Sequence, residues 1–418
     1  MAGQSVYKII SLYDRISGLK NAPKEYEDYY NDNLPYGNQL IRFHNSIDYF
    51  LFRQSSNENV VIGQSGWLFY CDSADGNPVE QSLGYWHFTD DQLQLIADNL
   101  METKRILESF DIEFVLFIAP NKETIYMDEL PDYYEADNHY TCTDQLVDYL
   151  ADNTDIRVVY PKSDLLDARK KNPEQLLYCK LDTHWNNAGA YIGAKSLAGE
   201  LGIEMPPPEE IRWEEFSVSG GDLANMLNIT IKDGDIGYVF SDTASFELLE
   251  ETDESGVIYY APGTDSRRLF VQRDSFALAM MPSLAAQFED SMWVHRNDFE
   301  LQQVFDFNTN IFVLETAERY VGGLGKLRMS YISFSVESSE EDIKRITIKP
   351  AISEADLQYV SIYKKENESE DKETIQEGKS LTDPIVLSVP DSESGEVYID
   401  IFADKSGNEI LEEAVIYY

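Results

Sequence analysis

The chain has 418 residues, and its hydrophobic fraction of 43% is that of a globular protein with a sizeable core. Lys and Arg number 33 against 76 Asp and Glu, so the net charge is −43. Binding to nucleic acid or to an anionic membrane surface is disfavoured, because both depend on cationic side chains. The three cysteines, Cys71, Cys142 and Cys179, form neither a disulfide framework nor a paired metal motif.

The first three quarters of the chain are predicted to alternate helices with buried strands. Residues 26–52 have the apolar spacing of an amphipathic helix, and residues 60–70 alternate around a glycine as in a hairpin. Further helices are predicted over residues 89–110, 142–153, 185–201 and 276–288, and strands over residues 114–120, 156–160, 267–272 and 311–316. These strands are continuous apolar runs, which are typical of a parallel sheet covered on both faces. The order predicts a doubly wound α/β domain.

The pattern changes after Gly325. Short runs rich in β-branched and aromatic residues follow, separated by acidic, Ser-rich or Gly-rich turns. This texture predicts a small β-sandwich. We therefore divide the chain into an α/β domain over residues 1–325, with a helical lead-in over residues 1–55, and a β-sandwich domain over residues 326–418.

Two segments carry the residues best suited to catalysis. Asp182 and His184 are two residues apart, and a carboxylate near a histidine can orient the imidazole and stabilise its protonated form. Ser275 follows Asp274 between an apolar strand and a helix, where backbone N–H groups can stabilise an oxyanion. Both segments also fit simple helix capping. Together they predict a Ser–His–Asp arrangement in the chain order Asp182, His184, Ser275.

Five more residues are candidates for substrate binding: Arg273, Asn121, Lys122, Trp185 and Asp222. Asn121 and Lys122 follow an apolar strand, at the sheet edge where ligands gather, but they fit a turn and a surface ion pair equally well. Asp222 follows two glycines that either line a cleft or make a turn. Trp185 is a candidate for stacking on a sugar, although large aromatic residues usually belong to the core. The histidines other than His184 have no ligand-like spacing, so neither a metal site nor a cofactor is predicted.

Five segments in this order resemble the SGNH-hydrolase-like domain of the AlgX/AlgJ and DHHW group: IGQSGWLFY, FIAPNKETIY, YCKLDTHWNNAGAY, GGDLANML and RDSFALAMMPSLAAQF. The resemblance covers about residues 25–322 and implies a flavodoxin-like, doubly wound parallel sheet. It implies that Ser275 is the nucleophile, His184 the general base and Asp182 the residue that orients the base. The group usually has Gly where this chain has Arg273. Arg273 therefore either contacts the substrate or pairs with a neighbouring acid.

The resemblance also implies a function. Members of the group are linked to O-acetylation of polysaccharides such as alginate, which implies a serine-dependent O-acetyltransferase or O-acetylesterase that works through an acetyl-enzyme. Members that transfer acetyl groups act outside the cytoplasm with a membrane-bound O-acyltransferase as acetyl donor. We therefore expect an extracytoplasmic protein at the cell surface or secreted, tethered by an N-terminal segment absent from this chain.

The charge of the chain bears on the glycan. A strongly acidic surface favours a neutral or cationic polysaccharide over a polyanion, unless basic side chains line the cleft. The alternative function is a non-catalytic carbohydrate-binding or cell-wall scaffold protein on a degenerate SGNH fold. It predicts that Asp182, His184 and Ser275 are not within hydrogen-bonding reach of one another. The β-sandwich is then a carbohydrate-binding module or a spacer, since a fold alone does not define a function.

Overall fold

A computed structural model describes residues 37–135, 140–240, 247–252, 256–260, 263–338, 343–351, 359–365, 372–380, 384–390, 396–402 and 410–417. Helix α1 (Gly37–Ile47), continued by a π-helical turn over Asp48–Phe52, lies within the predicted lead-in helix. The part of the predicted lead-in over residues 1–36 lies outside the described residues. No helix in the described ranges is both long enough and apolar enough to cross a membrane.

The α/β part of the chain contains the following elements in chain order: β1 (Val60–Ile62), β2 (Leu68–Tyr70), α2 (Pro78–Ser82), α3 (Asp90–Glu108), β3 (Glu113–Ala119), α4 (Lys122–Ile125), α5 (Cys142–Asn153), β4 (Arg157–Val159), α6 (Lys162–Lys171), α7 (Asn187–Glu200), β5 (Trp213–Val218), α8 (Asp222–Met226), β6 (Asp235–Phe240), β7 (Glu247–Thr252), β8 (Gly256–Tyr260), β9 (Leu269–Arg273), α9 (Ala277–Ala285), β10 (Asp290–His295), α10 (Leu301–Asp306) and β11 (Ile311–Ala317). A 3₁₀ helix over Glu318–Lys326 follows.

Local sequence signals explain several of these boundaries. Helix α3 begins at Thr89, whose Oγ1 accepts a hydrogen bond from the Gln92 N–H while the Gln92 side chain accepts one from the Thr89 N–H. Thr141 and Asp144 form the same kind of reciprocal cap at the start of α5. Because such caps pair the N–H groups left over at a helix start, both helices begin where the sequence predicts.

The central sheet has the strand order β4-β3-β11-β9-β10-β8-β7. The first five strands in this order run parallel, and β8 and β7 extend the sheet with antiparallel pairing. The predicted α/β fold with a parallel sheet is thereby confirmed. Strand β10 was not predicted, because DSMWVH mixes polar with apolar residues.

Both faces of the sheet are covered, which explains the continuous apolar strands. Successive residues of a strand point to opposite faces. Val115 and Phe117 of β3 pack with the residues of α7 and α9, whereas Phe114 and Leu116 pack with those of α3 and α5. The sheet is therefore doubly wound, and the polar residues that follow its strands lie at its carboxyl edge.

The C-terminal region forms two antiparallel sheets. Its strands are β12 (Ile332–Ser338), β13 (Ile343–Pro350), β14 (Tyr359–Lys365), β15 (Lys372–Ser380), β16 (Ile385–Pro390), β17 (Glu396–Phe402) and β18 (Ile410–Tyr417). The orders are β12-β13-β16 and β15-β14-β17-β18. Strand β15 was not predicted, because KETIQEGKS is largely polar.

The hydrophobic core continues across the predicted boundary at residue 325. Phe312 of β11 belongs to the same cluster of buried residues as Tyr331 and Ile346. The Tyr331 hydroxyl also lies 3.1 Å from Ser109 Oγ, just after α3. The division into two domains at residue 325 stays a prediction, and the two parts share packing in this structure.

Candidate active site

The structure brings the three predicted catalytic residues together at the carboxyl edge of the sheet. Ser275 follows β9, an inner strand, and Asp182 and His184 lie in the loop before α7. The Nε2 atom of His184 lies 2.8 Å from Ser275 Oγ, and its Nδ1 atom lies 2.7 Å from Asp182 Oδ1. All three residues are partly buried, so the serine hydroxyl is in a continuous hydrogen-bonded chain that solvent can reach.

The carboxylate of Asp182 is held in its ionised form. Its Oδ1 atom accepts hydrogen bonds from His184, and its Oδ2 atom accepts the Asp222 N–H at 2.9 Å. Burial by itself would raise the pKa of Asp182, but the hydrogen bond and charge of His184 and the two backbone N–H groups hold this pKa well below its usual range. Asp182 can therefore keep the proton of the imidazole on Nδ1, which leaves Nε2 free to accept the serine proton.

Asp222 supports the loop that carries Asp182. Its carboxylate accepts hydrogen bonds from the Thr183 N–H at 2.8 Å and the Thr183 hydroxyl at 2.5 Å. Its Oδ2 atom lies 3.9 Å from His184 Nδ1, too far for a hydrogen bond. The Asp222 side chain is 40% exposed. Its predicted role in substrate binding therefore stays a prediction, in addition to this structural role.

Asp182, His184 and Asp222 also form a group whose ligand atoms lie within 4.8 Å of one another, as a metal site would require. Both ring nitrogens of His184 already have partners, Asp182 Oδ1 and Ser275 Oγ. The arrangement is therefore complete as a proton relay, and the expectation that the site holds no metal stays a prediction.

Gly221 permits the close approach between the Asp222 turn and the Asp182 loop. Its φ of +152° is unusual for residues with a side chain, and a Cβ atom at this position would lie 2.2 Å from the Leu181 carbonyl oxygen. The glycines before Asp222 thus make a turn packed directly against the loop of the triad.

Asn121 and Lys122 do not face a cleft. Both are buried, with 1% and 0% of their surface exposed. Lys122 Nζ donates to the carbonyl oxygens of Cys179, Lys180 and Asp182 at 3.3, 3.4 and 2.5 Å. Burial lowers the pKa of Lys122 despite the nearby carboxylates. Lys122 thus anchors the loop that carries Asp182, and the predicted donation to substrate has no support in this arrangement.

Asn121 is likewise satisfied within the protein. Its Nδ2 atom donates to Gln81 Oε1 at 3.0 Å, and its N–H donates to Glu318 Oε2 at 2.7 Å. Its Oδ1 atom accepts the Arg319 N–H at 3.3 Å. These bonds connect the end of β3 to the end of β11, which makes Asn121 a structural residue of the sheet edge.

Trp185 is also a core residue, so stacking on a sugar is not available to it. Its side chain is 2% exposed, and its indole N–H donates to the Phe276 carbonyl oxygen at 2.9 Å. Because Trp185 follows His184 and Phe276 follows Ser275, this bond ties the base and the nucleophile to each other through their neighbours.

Asp274 fixes the turn that presents Ser275. Its Oδ1 atom accepts the Phe276 N–H at 2.8 Å, and its Oδ2 atom accepts the Ala317 N–H at 2.7 Å. Its own N–H donates to Glu315 Oε2 at 2.8 Å. The turn after β9 is therefore clamped to β11, which is the capping role that the sequence allowed for Asp274.

Arg273 stands beside a second buried acid, Glu315. Arg273 is 4% exposed, and Glu315 is 2% exposed. Burial and then repulsion from Asp274 raise the pKa of Glu315 well above its usual range, while the charge of Arg273 opposes that rise. Of the two predicted roles of Arg273, pairing with a neighbouring acid is the one that fits its burial.

The backbone near Ser275 offers one donor for an oxyanion. The Phe276 N–H is taken up by Asp274, whereas the Ser275 N–H makes no hydrogen bond with any residue that the structure describes. A developing negative charge next to Ser275 Oγ would be close to this N–H group.

Sequence reasoning missed Arg319, which lies beside the nucleophile turn. Its guanidinium stands 5.3 Å from the centre of the Phe276 ring, and that ring lies 4.9 Å from the His184 ring. Arg319 follows β11 by two residues, at the same carboxyl edge as Ser275. The rule that ligands gather at this edge could have identified it, had β11 been placed next to β9.

Comparison with known proteins shows which family the chain resembles. Residues 60–255 match the model of the family described as SGNH hydrolase-like domain, acetyltransferase AlgX. The predicted resemblance to the AlgX/AlgJ group is confirmed. The probable alginate O-acetylase AlgJ of Pseudomonas aeruginosa is 26% identical over 209 residues, which are 48% of this chain and 49% of that protein. Its counterpart from Pseudomonas fluorescens is 25% identical over 185 residues, or 44% and 43% of the two chains.

The chain spans about half the length of these curated relatives. Among solved structures, that of Bacillus cereus PatB1 is 16% identical with a TM-score of 0.48, over 65% of this chain and 100% of that chain. A DHHW family protein from Eubacterium siraeum is 14% identical with a TM-score of 0.47, over 65% of this chain and 95% of that chain.

The geometry also bears on the alternative of a degenerate scaffold. That alternative predicted that the three side chains lie outside hydrogen-bonding reach, and the distances of 2.7 and 2.8 Å do not meet this expectation.

Proposed function

We propose that this chain is a serine-dependent enzyme of polysaccharide O-acetylation, which moves an acetyl group through an acetyl-enzyme on Ser275. The observation that carries the proposal is the hydrogen-bonded chain from Asp182 Oδ1 through His184 to Ser275 Oγ, at 2.7 and 2.8 Å. A nucleophile, a base and a group that orients the base are what covalent acyl transfer requires.

The first half of the reaction forms the acetyl-enzyme. His184 Nε2 accepts the proton of the Ser275 hydroxyl as Oγ attacks the acetyl carbonyl carbon, and the carbonyl oxygen becomes an oxyanion near the Ser275 N–H. When the tetrahedral intermediate collapses, the bond to the donor oxygen breaks and His184 returns the proton to the leaving group. Asp182 stabilises the imidazolium throughout, since its low pKa keeps it negatively charged.

The second half repeats these steps with a new hydroxyl. His184 takes a proton from a sugar hydroxyl or from water, the oxygen attacks the acetyl-enzyme, and Ser275 leaves with the proton. A sugar acceptor makes the protein an acetyltransferase, and water makes it an acetylesterase. The relatives named alginate O-acetylases support transfer, which we therefore favour.

The same resemblance supports the setting of the reaction. We propose that the protein acts outside the cytoplasm, on a cell-surface or secreted glycan, and receives acetyl groups from a membrane-bound O-acyltransferase. The charge of −43 supports a neutral or cationic glycan as acceptor. Acetyl content of extracellular glycan in cells with and without the protein tests this setting, and an unchanged content would contradict it.

The decisive experiment removes the nucleophile. Ser275→Ala is expected to abolish acetyl release from an activated acetyl ester and the mass increase of a trapped acetyl-enzyme. Ser283→Ala is the matched control, because the hydroxyl of this buried serine of α9 donates to the Met280 carbonyl oxygen within its own helix. If Ser275→Ala turns over the ester like the parent, the mechanism is wrong. Adding a glycan acceptor to the assay then separates the two reactions, because transfer places the acetyl group on the sugar and hydrolysis releases it as acetate.

A further inference from the structure

A cavity of about 450 Å³ is lined by Gln272 of β9, three residues before Ser275, and by the end of β11. The residues that line it include Asp75, Gln81, Trp86, Glu315, Arg319 and Tyr320. Its volume falls within the roughly 300–1,000 Å³ usual for small-molecule sites.

Two residues of the cavity lining contact the residues that precede and follow Ser275. Glu315, in the lining, accepts the N–H of Asp274, which precedes the serine. Arg319, also in the lining, lies 5.3 Å from the ring of Phe276, which follows the serine. A ligand in this cavity would therefore contact two residues, Glu315 and Arg319, that bond to or pack against the neighbours of Ser275.

Two residues of the lining each carry a buried polar atom without a hydrogen-bond partner in the described part of the chain: Glu315 Oε1 and Arg319 Nε. The Arg319 side chain is 9% exposed, and its Nε atom lies 3.8 Å from Asp75 Oδ2, beyond hydrogen-bonding distance. Buried polar groups are normally paired, so these two atoms point to a polar ligand.

The chemistry of the wall indicates which ligand. A hydroxyl group both donates and accepts, so neighbouring hydroxyls of one sugar ring can satisfy an N–H donor and a carboxyl oxygen together. Tyr320 and Trp86 add aromatic surface to the wall. The charged residues of the lining are two acids, Asp75 and Glu315, and two arginines, Arg296 and Arg319, so their formal charges cancel. A sugar carboxylate would therefore meet as many acids as arginines, and this balance favours an uncharged sugar.

We propose that this cavity binds an uncharged pyranose residue of the acceptor glycan beside Ser275, an inference that rests on the proposed acetyl transfer. Arg319 and Glu315 are the residues that recognise its hydroxyl groups. The site fixes which sugar hydroxyl approaches the acetyl-enzyme.

Two kinds of variant probe the cavity. Arg319→Met removes the unpaired donor and keeps a side chain of similar length. Gly323→Leu fills the space instead, since Gly323 lines the cavity and a Cβ atom there has no atom within 4 Å. The second variant keeps the test valid if the loss of Arg319 perturbs folding.

Each variant has a matched control outside the cavity. Arg319 lies over the Tyr320 ring and near Asp75. Arg169 is in a similar setting, 4.0 Å from the centre of the Tyr126 ring and paired with Asp128, so Arg169→Met is the control for Arg319→Met. Gly199→Leu also adds a side chain where nothing lies within 4 Å, on α7.

The experiment is calorimetric titration of the full chain carrying Ser275→Ala with cellotetraose, chitotetraose, mannotetraose and an oligouronate of equal length. At least one neutral tetrasaccharide is expected to bind, with Kd raised at least tenfold by Arg319→Met and by Gly323→Leu and unchanged by the two controls. Absence of binding by every neutral tetrasaccharide, or equal Kd values in all variants, would overturn the site. Tighter binding of the oligouronate would overturn the assignment of an uncharged sugar.

Acetyl release from an activated ester by the chain with Ser275 intact is measured separately. Glycan binding that depends on Arg319 without acetyl release would refute the proposed function and leave the sugar site standing. Acetyl release that depends on Ser275, without glycan binding, would refute the sugar site and leave the proposed function standing.

Discussion

Replacing Asp182 by Asn separates the geometry of the triad from its charge. Asn occupies nearly the same volume, and its oxygen can still accept the Asp222 N–H, which donates to Asp182 Oδ2 at 2.9 Å. Its amide nitrogen, however, would face His184 Nδ1, which now lies 2.7 Å from Asp182 Oδ1. An amide N–H donates, so it would force the imidazole proton from Nδ1 onto Nε2.

The expected loss follows from that tautomer. With its proton on Nε2, His184 can no longer accept the proton of Ser275, which lies 2.8 Å away. The corresponding change in a serine protease lowers kcat about 10⁴-fold. This equals roughly 5 kcal/mol of lost transition-state stabilisation at about 1.36 kcal/mol per factor of ten. We expect a loss of this order in Asp182→Asn.

The assay is kcat for release of acetyl from an activated ester, with thermal unfolding as the test of folding. Asp128→Asn is the matched control, since Asp128 pairs with Arg169 and its side chain is 67% exposed. Surface pairs of this kind contribute about 0–1 kcal/mol, so the control should keep its kcat and nearly its full stability.

A folded Asp182→Asn protein that keeps more than a tenth of the parent kcat would refute the reasoning. The pH dependence gives a second check. Because the pKa of Asp182 is depressed in the fold, its stabilising effect is present above the unfolded value of about 3.9 and fades as the pH falls below it. The stability difference between parent and variant should therefore narrow below about pH 4.

Lys122→Met should lower kcat at least tenfold, because the loop of the triad loses the donor to its three carbonyl oxygens; an unchanged kcat in a folded variant would contradict this positioning role. The free energy of unfolding of Glu315→Gln, relative to that of the parent, should increase as the pH rises above about 4.3. Because the pKa of Glu315 is raised in the fold, its stabilising effect is present below about pH 4.3 and is lost as the pH rises, whereas Gln has no such loss. If the free energies of unfolding of the parent and the variant differ by the same amount at every pH, a raised pKa of Glu315 is excluded. Gly221→Ala should lower the free energy of unfolding by about 1–3 kcal/mol or more, because its Cβ atom would meet the Leu181 carbonyl at a strained φ. Urea unfolding measures this, with Gly199→Ala as the control at an open position; equal effects at the two glycines would rule out the close approach.

Local signals in the sequence were enough for five of the ten α-helices that the structure describes, α1, α3, α5, α7 and α9, and for the inner strands β3, β9 and β11. The helix over Cys142–Asn153 has the predicted bounds, because Thr141 and Asp144 form a cap between residues close in the chain. Strands β3 and β9 were recognisable since a strand buried on both faces is apolar throughout. Strands β5 to β8 were not predicted, and neither were β10 and β15, whose mixed and polar residues carry no such pattern.

The sequence by itself also pointed to the three residues of the candidate triad, through their types and their places at strand and helix ends, and the resemblance to the AlgX/AlgJ group supplied the role expected of each. It could not determine which residues share an edge. Strand β11, the last of the sheet in the chain, lies between β3 and β9 and so brings Glu315 and Arg319 beside Ser275.

Burial was likewise decided by the tertiary structure. Lys122 and Trp185 are a cation and an aromatic residue next to site residues, and the sequence allowed both to contact substrate. Their polar atoms bond instead to carbonyl oxygens of the site loop and of Phe276. Whether a polar side chain faces a ligand or the protein depends on which distant segments pack over it. Composition determined a net charge of −43, but only the packing of distant segments put Arg319 in the wall of a cavity and against the ring of Phe276, which follows Ser275.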